Sequence, residues 1–151
     1  MATSPRSLSL ALAADSSEFP RLQAFIESAC QQAGCSTNQR LRVQLVVEEL
    51  FTNTLKYGQE GATPVSVSIT MDFSAGQLLS VRYEDDSTQH DPFEESGTDE
   101  ELGFSVTRRR IGGLGIVLVR ELGDDVQYAW SGGKNRVTFT VPLRSPPRRQ
   151  F

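Results

Sequence analysis

The sequence predicts an α+β protein, a two-layer sandwich in which helices cover one face of a mixed, mostly antiparallel sheet. Five short segments alternate apolar and polar residues, as strands with one buried face do, and two longer segments after the first of them have a helical period. The chain has 151 residues, of which 38% are hydrophobic, which suits one domain with a sizeable core.

The first three elements follow from local patterns. "SLSLALA", Ser7 to Ala13, alternates like a half-buried strand. In "SSEFPRLQAFIESACQQAG" the residues Leu22, Phe25, Ile26 and Ala29 share one helical stripe, and Gly34 is a suitable stop. A second helix begins at "STNQ", where Ser36 and Gln39 have the spacing of a capping box, and runs to about Gly58.

The rest of the chain alternates between strands and less regular sequence. "PVSVSITMDF" and "QLLSVRYED" flank the turn "SAGQ", which predicts an antiparallel hairpin. From Asp86 to Ile111 no clear period survives, and a stretch of this length inside a compact domain is typical of a functional lid. "GGLGIVLVREL" predicts a glycine-rich turn leading into a helix, and "DVQYAW" and "NRVTFTVPL" predict two final strands around "SGGK".

These elements form a single predicted domain over residues 1–143, followed by a flexible tail over 144–151. The net charge of -4 argues against direct nucleic-acid binding, so proteins and small molecules are the expected partners. No apolar run is long enough to predict a membrane span, and a cytoplasmic location is expected. Cys30, Cys35 and the single histidine, His90, are too few for a disulfide scaffold or a zinc site.

The second predicted helix carries the first candidate site. Glu49 and Asn53 are four residues apart in "LVVEELFTNTLKYG", so their side chains share one helix face. Their oxygens suit a hard cation such as Mg²⁺, or the orientation of a nucleophile or water. Taken alone, the pair also fits a solvated helix face.

Two further patterns suggest a ligand. "VRYEDDSTQHDPF" delivers Asp85 and Asp86 at the end of a strand, where a carboxylate accepts a hydrogen bond from an amine or binds a cation, although an ordinary acidic turn has the same composition. "IGGLGIVLV" places Gly112, Gly113 and Gly115 before a helix whose first amides favour a phosphate, or simply form a helix-start turn. The preceding arginines could screen phosphate oxygens, bind a partner or promote solubility: Arg108, Arg109 and Arg110.

The order and spacing of the three patterns resemble the N, G1 and G2 boxes of the GHKL ATPases, which share the Bergerat fold. Within that superfamily the chain resembles the stand-alone anti-sigma factor serine kinases of the RsbW type. The boxes correspond to "VVEELFTNTLKYG", "YEDDSTQHDPF" and "IGGLGIVLVRELGDDVQY". The chain departs from the family pattern at Ser87, where a glycine is usual, and at Tyr57, where a histidine is frequent.

The resemblance implies a role for each matching residue. Glu49 would be the general base that takes the proton of a substrate serine, and Asn53 would bind the Mg²⁺ that bridges the phosphates of ATP. Asp85 would accept from the adenine amino group. The ATP lid would extend over residues 88–111, and the phosphates would lie against residues at its end: Arg110, Gly112, Gly113 and Gly115.

The resemblance also implies a function, namely an ATP- and Mg²⁺-dependent protein serine kinase that is an anti-sigma factor in a bacterial partner-switching circuit. Such a protein sequesters a sigma factor, phosphorylates a STAS-domain anti-anti-sigma antagonist, and is expected to be a homodimer. Two alternatives remain: a non-catalytic nucleotide-binding module that only sequesters a partner, and the ATPase domain of a sensor histidine kinase. Glu49 and Asn53 argue against the first, and Ser87 mildly favours it.

Overall fold

The computed structural model describes residues 5–57, 64–74, 77–93, 119 and 121–143. In chain order the described elements are strand β1 (Arg6–Ala13), a short 3-10 helix (Ser16–Glu18), helices α1 (Phe19–Ala33) and α2 (Thr37–Tyr57), and four further strands. The strands are β2 (Ser66–Phe73), β3 (Leu78–Asp85), β4 (Asp124–Ser131) and β5 (Lys134–Pro142).

The five strands form one sheet in the order β1-β2-β3-β5-β4. All four pairings are antiparallel, which confirms the mostly antiparallel sheet that the alternation predicts. The β4–β5 hairpin turns through Gly132 and Gly133, whose φ angles of 60° and 76° favour glycine at both positions. Because β5 pairs with β3, the chain places β5 between β3 and β4, and Asn135 comes opposite Asp85.

The helix boundaries follow the predicted capping residues. Ser36 Oγ accepts from the backbone N–H of Gln39 at 3.1 Å, and the side chain of Gln39 accepts from the N–H of Ser36 at 2.7 Å, so the capping box forms. Helix α1 ends at Gly34, which has a φ of 81°, and the N–H of Cys35 donates to the carbonyl of Cys30.

Helices α1 and α2 cover one face of the sheet, and the main core lies between the two layers. The rings of Phe19 and Phe51 meet edge to face with their centroids 5.0 Å apart, which joins the start of α1 to the middle of α2. The core residues on the sheet side come from alternating positions of β2, β3 and β5, as the predicted strands require: Val67, Ile69, Met71, Leu79, Val81, Val137, Phe139 and Val141.

The opposite face of the sheet is largely polar. Glu84 is 9% exposed, and its Oε2 accepts from Nε of Arg136, its cross-strand partner, at 3.0 Å. Oε1 of Glu84 lies 3.3 Å from Nε of Arg82. This ion-paired cluster spans β3 and β5 and leaves the apolar packing to the helical face.

Of the predicted third helix, the structure describes Val119, Glu121 and Leu122 as helical. In the described part of the chain, no helix combines the length and the apolar character needed to span a membrane.

Candidate functional site

Three polar residues converge at one end of the core, at positions where the helical and strand periods predict apolar side chains. Thr54 lies on the core-facing side of α2, Asp85 is the last residue on the buried side of β3, and Asn135 is the first residue on the buried side of β5. They are 5%, 8% and 6% exposed, respectively. Buried polar groups require partners, and these three satisfy one another.

The Asp85 carboxylate is held from three elements. Its Oδ1 accepts from Ser87 Oγ at 2.6 Å, from the Ser87 N–H at 3.2 Å and from Asn135 Nδ2 at 2.9 Å. Its Oδ2 accepts from Thr54 Oγ1 at 2.8 Å. A carboxylate offers about four acceptor positions. Oδ1 is therefore fully used, whereas Oδ2 keeps an acceptor position for a ligand.

The hydroxyl of Tyr83 fixes the direction of the Thr54 hydrogen bond. Tyr83 OH lies 2.6 Å from Thr54 Oγ1, and burial raises the pKa of Tyr83 well above its usual value, so the phenol keeps its proton and donates it to Thr54. The single hydroxyl proton of Thr54 then has two acceptors, the Leu50 carbonyl at 3.1 Å and Asp85. The shorter bond to the carboxylate is the stronger one.

The side chain of Asn135 uses all of its hydrogen-bonding capacity. Nδ2 donates to Asp85 Oδ1 and to the Thr88 carbonyl at 3.0 Å. Oδ1 accepts from Tyr128 OH at 2.6 Å and from the backbone N–H of His90 at 2.8 Å. Two donors and two acceptors fix the orientation of the amide, because the reverse orientation would place like groups together.

A pocket opens beside these groups, between α2 and the ends of β3 and β5. Asn53 and Asp85, two of the predicted site residues, both line it. The lining mixes apolar and polar side chains: Leu50, Asn53, Thr54, Tyr83, Asp85, Ser87, His90, Pro92, Asn135 and Val137. Such a mixture suits a flat apolar ligand that carries a few polar groups.

Glu49 lies one helical turn before Asn53 on α2, outside the lining of the pocket. Its neighbour Glu48 accepts a hydrogen bond from Gln23 Nε2 of α1 at 2.7 Å. Neither Glu49 nor Asn53 makes a side-chain hydrogen bond or ion pair with another residue in the described ranges. The structure thus separates the two adjacent acids, because Glu48 joins the helices and Glu49 stays half-exposed without such a partner.

The other predicted ligand-binding residues lie outside the described residues: Arg110, Gly112, Gly113 and Gly115. Of the predicted lid, residues 88–93 are described. Within the described ranges, no cluster of three or more histidine, cysteine, aspartate or glutamate side chains could hold a metal ion. Asn53 offers one carboxamide oxygen at the pocket, which fits a Mg²⁺ ion that takes most of its ligands from phosphates and water.

Ser87 occupies the position where the G1 box usually has glycine, yet it adopts an ordinary backbone conformation. Among the described residues, Asp125 is the non-glycine residue with a positive φ, at 52°. Ser87 is buried, and both its N–H and its hydroxyl donate to Asp85. The serine therefore adds support to the carboxylate without backbone strain.

The motif patterns missed Thr54 and Asn135, although the sequence contains a signal for each. Thr54 lies three residues after the core residue Phe51, and Asn135 alternates with the core residue Val137. A polar residue at a core-facing position of a predicted element indicates a buried network. Finding its partners requires the strand order, which local patterns do not provide.

Comparison with known proteins identifies the family of the chain. A family model described as a histidine kinase-like ATPase domain matches residues 12–141. No curated protein gives a significant match.

Two solved structures share the fold. One contains the RsbU and RsbW domains of Rv1364c from Mycobacterium tuberculosis, with a TM-score of 0.63 and 12% identity over 97% of this chain and 35% of that one. The other is the histidine kinase domain of the blue-light activated histidine kinase EL346 from Erythrobacter litoralis, with a TM-score of 0.51 and 20% identity over 84% of this chain and 60% of that one. The chain thus spans about a third and three fifths of these proteins, and at such identities the likeness shows the fold alone.

Proposed function

The chain belongs to the histidine kinase-like ATPase family, and on that premise we propose that it is an ATP- and Mg²⁺-dependent protein serine kinase and anti-sigma factor. Family membership implies ATP as the ligand, usually with Mg²⁺. One observation carries the proposal. Glu49 and Asn53 share one face of helix α2, and the Thr54 hydroxyl on the same helix donates a hydrogen bond to Asp85. Neither Glu49 nor Asn53 has a side-chain partner among the described residues.

We assign Asp85 to recognition of the adenine base. The acceptor position left on Oδ2 suits the exocyclic amine of adenine, whereas a guanine would present a carbonyl oxygen to the carboxylate. Apolar side chains from Leu50 and Val137 line the same pocket and suit the faces of a base.

We assign Glu49 to proton transfer. In the proposed reaction the substrate serine oxygen attacks the γ-phosphorus, the bond from that phosphorus to the β,γ-bridging oxygen breaks, and ADP leaves. Glu49 accepts the hydroxyl proton. Glu48 is less suited to this role because it already accepts from Gln23. Transfer by a positioned base contributes about 10²–10⁴-fold to a rate.

We assign Asn53 to the metal. When bound, Mg²⁺ would neutralise charge on the phosphates. Asn53 lines the pocket that also contains Asp85, so its carboxamide oxygen is available at the site where a nucleotide would sit. Mg²⁺ needs few ligands from the protein itself, because it retains several water molecules and takes phosphate oxygens.

The proposed protein partners are a STAS-domain antagonist that receives the phosphate on a serine, and a sigma factor that the chain sequesters. We expect the chain itself to be a homodimer. The similarity to a structure that contains an RsbW domain supports this choice at the level of the fold. We propose no direct contact with nucleic acid, in keeping with the net charge of -4.

Incubation with ATP, Mg²⁺ and a purified STAS-domain candidate tests the proposal, with intact mass spectrometry of the candidate as the readout. We expect a gain of one phosphate that survives acid, as a serine ester does and a phosphohistidine does not. Glu49→Gln should slow this transfer by about 10²-fold or more. Glu48→Gln is the matched control, because a glutamine at this position keeps an oxygen that can accept from Gln23.

Three other outcomes would contradict the proposal. A stable complex with the candidate and no phosphate gain would identify a sequestering module without catalysis. Acid-labile phosphate would indicate a histidine kinase. Equal rates in Glu49→Gln and the wild type would remove Glu49 from the chemistry.

A further inference from the structure

We infer that Asn135 is a positioning residue that sets the base specificity of the site, by fixing the Asp85 carboxylate and the start of the following segment in one arrangement. The inference rests on the proposed role of Asp85 in adenine recognition. Asn135 has no assigned role in the predicted motifs and lies outside all three of them, on β5.

The hydrogen bonds of Asn135 restrict the way in which Asp85 meets a ligand. Asn135 Nδ2 lies 2.9 Å from Oδ1 of Asp85, and Ser87 donates to the same oxygen. With Oδ1 occupied in this way, only Oδ2 can accept from a base. A carboxylate held at one oxygen cannot rotate to suit a different pattern of donors and acceptors.

Asn135 also holds the first turn of the segment that follows β3. It donates to the carbonyl of Thr88 at 3.0 Å and accepts from the N–H of His90 at 2.8 Å. His90 and Pro92 line the pocket. One side chain therefore connects the base-recognising carboxylate with the backbone that forms the adjacent wall.

The position of Asn135 is in turn fixed from β4. Tyr128 OH donates to Asn135 Oδ1 at 2.6 Å. A relay of hydrogen bonds thus runs from the edge strand through β5 to β3, in the order Tyr128, Asn135, Asp85. Removal of the Tyr128 hydroxyl should loosen Asn135 without removing the contact between Asn135 and Asp85. Tyr128→Phe should therefore weaken ATP binding less than Asn135→Ala does.

Substitution of Asn135 by a charged residue of the same shape distinguishes a positioning role from simple packing. Asn135→Asp keeps the shape but replaces the donor that faces Asp85 and the Thr88 carbonyl with an acceptor. Two facing carboxylates repel each other unless one takes up a proton, which restores a donor between them. Among the described residues, the other titratable groups that belong to this hydrogen-bond network are Tyr83, Tyr128 and His90, and the substitution leaves all three in place.

Calorimetric titration with Mg²⁺-ATP and Mg²⁺-GTP tests the inference on the full chain, at about pH 5.5 and about pH 8. Wild type should prefer ATP at both values. Asn135→Ala should weaken ATP binding about tenfold or more and reduce the ratio of ATP to GTP affinity. Asn135→Asp should bind ATP best at the lower pH and lose affinity at the higher one.

Tyr128→Phe and Thr138→Ala complete the series. The first should weaken ATP binding by about threefold. The second is the matched control, because Thr138 lies on β5 with its side chain on the opposite face of the sheet, and its affinities should equal those of wild type. Thermal unfolding of each variant confirms that it is folded; if Asn135→Ala is not folded, the results for Asn135→Asp and Tyr128→Phe decide.

The two hypotheses fail differently. Absence of ATP binding by the wild type would overturn the proposed function and this inference with it. Binding by the wild type, together with an unchanged ATP-to-GTP ratio and no pH effect in Asn135→Asp beyond that of the wild type, would overturn the inference alone.

Discussion

Oγ1 of Thr54 lies 2.8 Å from Oδ2 of Asp85, so one hydrogen bond ties helix α2 to the end of strand β3. The same hydroxyl lies 2.6 Å from Tyr83 OH. This contact joins helix α2, which carries Glu49 and Asn53, to strand β3, which ends in Asp85. The two predicted motifs are therefore adjacent in the fold, and Thr54 connects them.

Replacement of Thr54 by valine should therefore lower both stability and nucleotide affinity. Valine keeps the volume but leaves Tyr83 without its acceptor, and loss of a buried partner costs about 1–3 kcal/mol. Urea denaturation should show this loss in the free energy of unfolding, and Thr54→Ser should recover most of it. Thr52→Val, at a half-exposed position on the same helix, should change it little; equal losses in both variants would remove the special role of the Thr54 hydroxyl.

Asp85→Asn should weaken ATP binding by about tenfold or more, as measured by calorimetry. Asparagine replaces one acceptor oxygen with a donor, which then faces either Asn135 and Ser87 or Thr54 and the base. Asp86→Asn is the matched control, because Asp86 lies on the exposed side and its Oδ1 accepts from the backbone N–H of Ser66. Unchanged affinity in Asp85→Asn would show that the adenine contact lies elsewhere.

The buried phenol of Tyr83 should make the protein sensitive to alkaline conditions. Burial raises the pKa of Tyr83 well above its usual value near 10. Above about pH 10 the Tyr83 phenol loses its proton in the unfolded chain but retains it in the folded chain. Stability from this residue is thus complete below about pH 10 and declines as the pH rises toward the folded pKa, by up to about 1.4 kcal/mol per pH unit.

Comparison of wild type with Tyr83→Phe isolates this effect from the other groups that titrate at high pH. Urea denaturation at about pH 9 and about pH 11 should show a steeper loss of stability in the wild type than in the variant. Parallel pH dependence in the two proteins would contradict the assignment.

Gly123 should not tolerate a side chain. A Cβ at this position would lie 2.9 Å from Val126 Cγ2, 3.1 Å from the Val119 carbonyl oxygen and 3.3 Å from Phe139 Cβ. Gly123→Ala should lower the free energy of unfolding by about 1–3 kcal/mol, because the neighbours belong to a packed core. Ser131→Ala, at an exposed position at the end of β4, should leave the midpoint of thermal unfolding nearly unchanged. An equal midpoint in both variants would show that the core relaxes around the added methyl group.

The helices and strands of the described chain could be predicted because their signals are local. The capping box of Ser36 and Gln39 and the left-handed Gly34 depend on residues within one turn of each other. Alternation of apolar residues likewise determines which face of each strand is buried, since side chains point to opposite faces in turn. From the same local spacing the sequence placed Glu49 and Asn53 on one helix face.

The tertiary structure decided which of these residues meet. Asn135 and Asp85 are 50 positions apart in the chain and come into contact because β5 inserts between β3 and β4. Glu48 lies beside Glu49 in the sequence, and only the packing of α1 against α2 gives Glu48 a partner in Gln23. Strand order and helix packing depend on the burial of the whole core, so a network that joins α2, β3, β4 and β5 is fixed only in the folded chain.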